Sequence, residues 1–212
     1  EDNSQKGVPL HWLKAGTILD ADILQRMSNA TYVGIDFGTS TSVASIAIAG
    51  DGGEGLLTKS IDIRQIDELG REIHSHLVDT CLAWLNQRLL FGVGAARLKQ
   101  QLVGNETIWT SFKMGLGVDL GPEYNRTALP DGEYEYTIEK PQHAAAIFLK
   151  LLCDGIREYV AKNKLPEKIY YTVTVPASFE ANQRQDLFAA LEFAGIPESE
   201  IRLMDEPNAA FL

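Results

Sequence analysis

The stretch from Tyr32 to Ile48 constrains this chain most. Val33, Ile35 and Phe37 alternate with Tyr32, Gly34 and Asp36, which is the two-residue period of a half-buried strand. Gly38-Thr39-Ser40 interrupts it, and Val43 to Ile48 reads as a second strand, so the unit is a β-hairpin. Its first strand delivers Asp36 to the edge of a glycine turn. Gly38 leaves room for a ligand to approach the backbone. Successive N–H groups in such a turn form a concave anion site, to which the hydroxyls of Thr39, Ser40 and Thr41 add donors. Beside phosphates, Asp36 makes sense only with a divalent cation to neutralise the repulsion. No Gly-Lys-Ser/Thr follows and the next element is a strand, so this is not a Walker loop. The same residues also suit an ordinary hairpin with a turn-capping aspartate, and the motif alone leaves both readings open.

The rest of the pattern is that of an α/β layer fold with a mixed sheet. Leu57 to Ile63 reads as a third strand. Strand-like pieces fall between His76 and Leu90, a short helix over Ala95, Leu98 and Leu102, and a further helix over Trp109 to Leu116. Gly121 to Thr137 is rich in turn residues and suggests a small hairpin. Pro141 opens a long helix through Ala145, Phe148, Leu149, Leu152, Ile156, Tyr159 and Val160. Gly155 inside it costs about 1 kcal/mol relative to alanine, which points to a close helix contact. Ile169 to Val175 is a strand, 180–194 a helix stopped by Gly195, and Ile201 to Met204 a last strand. The expected organisation is an extension over 1–30, a core over about 31–63 and 140–212, and an inserted α+β subdomain over about 64–139. Ile18, Ile23, Leu24 and Met27 give the extension only a brief amphipathic pattern, and no function is built on it.

Two further motifs sit at strand ends. Val175-Pro176-Ala177-Ser178-Phe179 leads into Asn182-Gln183-Arg184-Gln185, and Asp205-Glu206-Pro207 follows the last strand. Taken singly, the first is an ordinary strand–helix junction with a solvated polar face. The second is an acidic helix N-terminus, worth up to about 1 kcal/mol.

Charge narrows the partners. The 212 residues carry a net charge of −10, which disfavours nonspecific nucleic-acid binding. An anionic ligand would need local dipoles, a lysine or a metal ion. Cys81 and Cys153 are the two cysteines, far apart and in no metal-ligand spacing, and read as buried thiols in a reducing compartment. No apolar run reaches the ~18 residues of a membrane span. The first residues are acidic and polar, unlike a signal peptide. The expectation is a cytoplasmic chain without nucleic-acid or membrane partners.

Together and in order, these motifs resemble the amino-terminal lobe of the nucleotide-binding domain of DnaK-type seventy-kilodalton heat-shock proteins, within the actin-like ATPase superfamily. Gly34-Ile35-Asp36-Phe37-Gly38-Thr39-Ser40 is similar to the family's Gly-Ile-Asp-Leu-Gly-Thr-Thr. The run from Val173 to Leu212 resembles its Val-Pro-Ala-Tyr-Phe, Gln-Arg-Gln and Asn-Glu-Pro-Thr-Ala-Ala segments. Leu90-Phe91-Gly92, Ala96 and Phe112 to Gly117 are similar to its Gly-x-x-Ala and Lys-Arg-Leu-Ile-Gly segments. The resemblance covers about residues 32–212.

It implies an actin-like, ribonuclease H-like lobe that binds ATP or ADP with Mg²⁺. Gly38, Thr39, Ser40 and Thr41 would cradle the β- and γ-phosphates, with Thr39 nearest the γ-phosphate. Asp36 would hold Mg²⁺ through water. Lys113 would reach the γ-phosphate and offset charge that builds up in the transition state. Glu206 would order the metal's hydration or the attacking water. Pro176 and Arg184 would form the switch that reports nucleotide state outside the cleft. Ser178, Asp205 and Asn208 stand where the family has tyrosine, asparagine and threonine, which marks a divergent member. The family continues beyond the position of Leu212 into a second phosphate turn, a second lobe and a peptide-binding domain. The resemblance therefore implies a fragment of a longer chaperone, one that hydrolyses ATP when complete and meets co-chaperones and unfolded clients through those further domains. The chain alone should bind ATP weakly or not at all. An actin-like filament protein would lack the Val-Pro-Ala and Gln-Arg-Gln run, and a superfamily kinase would need a base aspartate that has no clear candidate. A scaffold that has lost hydrolysis would have less use for Asp36, Lys113 and Glu206.

Overall fold

A computed structural model describes residues 29–49, 56–101, 107–119, 127–131 and 134–206. Within them the fold is mixed α/β. The hairpin is present, as β1 (Thr31–Phe37) and β2 (Thr41–Ala49), paired antiparallel with Asp36 opposite Val43. β3 (Leu56–Ser60) extends it. The third strand read through to Ile63 is in fact broken. Ile61 turns its N–H to the Ala44 carbonyl at 2.8 Å, and β4 (Ile63–Ile66) starts a separate hairpin with β5 (Glu72–Ser75). β6 (Val78–Asp79) returns to the main sheet beside β2. β7 (Cys81–Leu85) then pairs with both β8 (Arg88–Phe91) and β9 (Thr107–Thr110), forming a second sheet against α1 (Val93–Gln101).

The helix expected over Trp109 to Leu116 is not there. Trp109 belongs to β9 opposite Leu82, and Ser111 adopts φ 55, in the left-handed region. That kink ends the strand and starts a 3-10 turn over Phe112–Gly115. Trp109, Phe112 and Leu116 share helical spacing, yet all three are buried in the one core from different local structures. β10 (Thr127–Asp131) and β11 (Tyr134–Ile138) form the expected small hairpin.

α2 (Pro141–Lys162) begins at its proline and buries Ala144, Ala145, Phe148, Leu149, Leu152, Cys153, Ile156 and Val160. β12 (Ile169–Val175) lies parallel to β1, Val33 beside Tyr171 and Ile35 beside Val173. α3 (Ala181–Phe193) follows, with Gly195 at φ 80 beyond its end. β13 (Ile201–Asp205) then adds parallel to β12. Among the described residues the main sheet thus runs β13-β12-β1-β2-β3, with β6 against β2. One buried cluster joins its inner face to α2, to Leu82 of the second sheet, to Trp109 and to Phe112.

Gly155 has a different neighbour from the one its sequence position suggests. A Cβ there would lie 3.0 Å from Cγ2 of Ile63, so at Gly155 the helix α2 packs closely on strand β4. Gly155→Ala should stay within about 1 kcal/mol of wild type, because gained helix propensity offsets the tight contact. Gly155→Leu should cost about 2–3 kcal/mol through overpacking, read from urea unfolding of the chain.

Cys81 and Cys153 are free and buried, and burial pushes both thiols up to about 12. The buried Asp67 closes the turn between β4 and β5. It accepts the N–H groups of Leu69 and Arg71 and the guanidinium groups of Arg71 and Arg97, the last from α1. No described helix is long and apolar enough to cross a membrane. The weak pattern over residues 18–27 lies outside the described residues.

Candidate functional site

Three neighbouring strands end together. Asp36 of β1 stands beside Thr174 of β12, and the next β12 residue, Val175, stands beside Asp205 of β13. Because β1, β12 and β13 are parallel, their carboxyl ends open on one side of the sheet. In open α/β sheets that is where ligands bind. Asp36 points to the outer face, exposed, and accepts a hydrogen bond from Thr174 Oγ1 at 2.9 Å.

The turn after Asp36 is closed too tightly for any side chain at its first position. A Cβ on Gly38 would sit 2.1 Å from the Thr41 carbonyl oxygen. The turn is braced from behind. The Thr80 N–H donates to the Ser40 carbonyl at 2.8 Å, and the hydroxyls of Thr80 and Ser42 meet, buried, at 2.8 Å. Thr39 and Thr41 are half-buried and Ser40 is exposed, so this rigid loop presents its hydroxyl side chains at the rim.

Lys113 is 3% exposed, far from a solvated surface lysine. The 3-10 turn carries it under the end of the sheet. Its ammonium lies 5.8 Å from the ring centres of both Phe37 and Phe179 and donates to Glu206 Oε1 at 3.1 Å. A buried ammonium requires such partners. The carboxylate supplies the countercharge and the two ring faces supply cation–π attraction. The pair is lopsided: the lysine side chain is 4% exposed and the glutamate side chain 43%.

Pro176 and Arg184 sit on the same rim. The Pro176 carbonyl accepts the Phe179 N–H at 2.9 Å, which turns the chain from β12 toward α3. Arg184 donates from Nε to the Phe179 carbonyl at 3.1 Å, and its guanidinium pairs with Asp205. Arg184 is thereby connected through the Asp205-Glu206 step to Lys113. The structure thus brings Lys113 and Glu206 into contact and aligns Asp36 with the strand end that leads to Pro176. Pro207 and Asn208 lie outside the described residues.

Thr174 and Thr80 escaped notice as parts of the site, while Phe37, Phe179 and Asp205 lay within the quoted motifs without a role assigned to them. Thr174 could have been found from its place on the outer face of a strand two residues before Pro176. Phe37, Phe179 and Thr80 look like core or turn residues until long-range packing is known.

Among the described residues no group of three or more His, Cys, Asp or Glu side chains is placed to hold a metal ion. The carboxylates divide their roles: Asp205 and Glu206 are engaged by cations, while Asp36 stays exposed with one neutral donor. A single exposed carboxylate at a phosphate-type turn fits a hydrated divalent cation such as Mg²⁺ better than a fully protein-ligated one.

No protein-family model matches the chain. Curated proteins that match include two named chaperone protein DnaK. The chain is 28% identical over 180 residues to that of Methanothermobacter thermautotrophicus, covering 85% of this chain and 26% of the relative. It is 29% identical over 187 residues to that of Elusimicrobium minutum, covering 86% of this chain and 25% of the relative. The chain therefore spans about a quarter of the length of these relatives. Over most of its own length the chain is thus similar, at low identity, to DnaK chaperone proteins.

Proposed function

We propose that the chain is the phosphate-and-metal half of an actin-like ATPase domain, in a DnaK-like chaperone that hydrolyses ATP. The observation that carries this reading is the pairing of the buried Lys113 with Glu206, formed across 93 positions of sequence at the end of the sheet where Asp36 emerges. A site of mere structural polarity has little reason to bury an ammonium there. In this reading the core over about 31–63 and 140–212 holds the nucleotide's phosphates, and the insertion over about 64–139 contributes Lys113.

The roles follow from chemistry. The turn of Gly38, Thr39, Ser40 and Thr41 offers N–H and hydroxyl donors to the β- and γ-phosphates. Asp36 would hold the hydration shell of Mg²⁺, and that ion would supply positive charge to neutralise the phosphates. Lys113, held ready by Glu206, swings its ammonium toward the γ-phosphate, where charge on the equatorial oxygens grows in the transition state. Glu206, released from the lysine, is then free to orient water. Arg184 and Pro176 carry the change to α3. Cytoplasmic location, co-chaperones and unfolded clients belong to the same proposal and rest on kinship with the DnaK relatives.

The test uses the full-length protein that carries this chain. Mg·ATP should be hydrolysed slowly, with ATP binding measurable by calorimetry. Asp36→Asn should lower kcat/KM about 10–100-fold, the range for loss of a group that orients a bound metal. Absence of ATP binding at millimolar nucleotide would overturn the reading.

A further inference from the structure

The loop that carries Lys113 is held from its far side as well. Gly117, four residues on, has φ +71 and is gripped through both of its backbone groups by helix α3. Its N–H donates to Asp186 Oδ2 at 2.8 Å, and its carbonyl accepts from Asn182 Nδ2 at 2.8 Å. The Asn182 amide is oriented for this, because its Oδ1 accepts the Gln183 N–H at 2.9 Å. The approach leaves no space for a side chain. A Cβ on Gly117 would meet Gln183 Cγ at 2.7 Å and Asn182 Nδ2 at 2.8 Å.

The same helix reaches the other end of Lys113. Arg184, between the two clamping residues, fixes the Phe179 carbonyl and the Asp205 carboxylate. The ring of Phe179 lies against the ammonium, and Glu206, next to Asp205, accepts its hydrogen bond. Lys113 is therefore tied to α3 twice, through its main chain at Gly117 and through its head group at Phe179 and Glu206. Asn182 and Asp186 flank the Gln183-Arg184-Gln185 run on either side and lie outside it.

We propose that Asn182 and Asp186 are positioning residues for Lys113, clamping its loop to α3 so that the main chain bearing the lysine and the helix move as one body while the ammonium swings on its own side chain. This rests on the catalytic reading of Lys113. The consequence is direct coupling: a shift of α3 displaces the ammonium from the γ-phosphate, and engagement of the phosphate pulls on α3. A 1 Å misplacement of a charge-stabilising group is enough to cost about 100-fold in rate.

The experiment compares Asn182→Ala/Asp186→Ala, Asp186→Asn and Lys113→Ala in the full-length protein. Single-turnover hydrolysis is measured alongside ATP affinity and melting temperature. The double variant should lose about 10–100-fold in the hydrolysis step with ATP affinity nearly unchanged, and Asp186→Asn, which keeps a carbonyl acceptor, should restore most of it. In the 212-residue chain, the Gly117 amide of the double variant should exchange with solvent faster than in wild type. A double variant that melts lower but hydrolyses at the wild-type rate, while Lys113→Ala is inactive, overturns the positioning role alone. Wild-type hydrolysis by Lys113→Ala overturns the catalytic reading and the proposal with it. An unchanged Gly117 amide in the double variant shows that no clamp was removed and also overturns the proposal.

Discussion

Lys113→Met in the full-length protein is expected to slow ATP hydrolysis about 10²–10³-fold while leaving a folded protein. Methionine is unbranched and one atom shorter than lysine, and its thioether suits the faces of Phe37 and Phe179, which already flank the ammonium at 5.8 Å. The abandoned Glu206 side chain is 43% exposed and regains water. The reverse change is the harsher one for folding. Glu206→Ala leaves the ammonium without countercharge at a site where the lysine side chain is 4% exposed. Breaking a buried pair from its exposed side in this way costs about 3–5 kcal/mol, less whatever the two rings return. Single-turnover rates and urea unfolding of both variants measure the contrast. Wild-type turnover in Lys113→Met would remove the lysine from the chemistry, and equal stability losses in the two variants would contradict the lopsided burial.

Phe148→Ala should destabilise the chain by about 3–5 kcal/mol, a large share of the 5–15 kcal/mol typical of a domain. Phe148 is fully buried at the crossing of α2 with both sheets. Its ring lies 6.0 Å from Phe37, 5.7 Å from Phe112 and 6.2 Å from Phe91. Phe37 adjoins Asp36 and Phe112 adjoins Lys113, so the cavity would loosen both halves of the candidate site. Phe148→Leu retains most of the volume and should cost about half as much. The check is the unfolding free energy of the 212-residue chain in urea. A loss below about 1 kcal/mol would mean that the surrounding rings collapse into the space.

Much of this was legible in the sequence wherever short-range period coincides with burial. The alternation of Val33, Ile35 and Phe37 and that of Ile169, Tyr171, Val173 and Val175 announced β1 and β12 because both strands bury one face. The proline of α2 and the glycine after α3 gave helix limits. Legibility failed where one core collects residues from different local structures. Trp109, Phe112 and Leu116 mimic a helix in spacing, but the left-handed Ser111 between them decides otherwise. The composition of the site was readable as motifs, while its contacts were not. Nothing local distinguishes a buried lysine with a glutamate far along the chain from a solvated one. Gly155 was recognisable as a close approach, but its partner, Ile63, is set by the break between β3 and β4.

The position of β1 in the main sheet bears on how the protein comes to be folded. Its antiparallel neighbour β2 is available at once, but its parallel neighbour β12 follows only after the whole intervening stretch, with Asp36 and Thr174 separated by 138 positions. During synthesis at about 5–20 residues per second, one side of β1 waits roughly 7–28 seconds as an unpaired edge. Closing so long a loop places the rate-limiting step late and makes folding slow. The exposed hairpin is meanwhile a template for pairing with other chains. Dilution and low temperature should therefore raise the refolding yield of this chain.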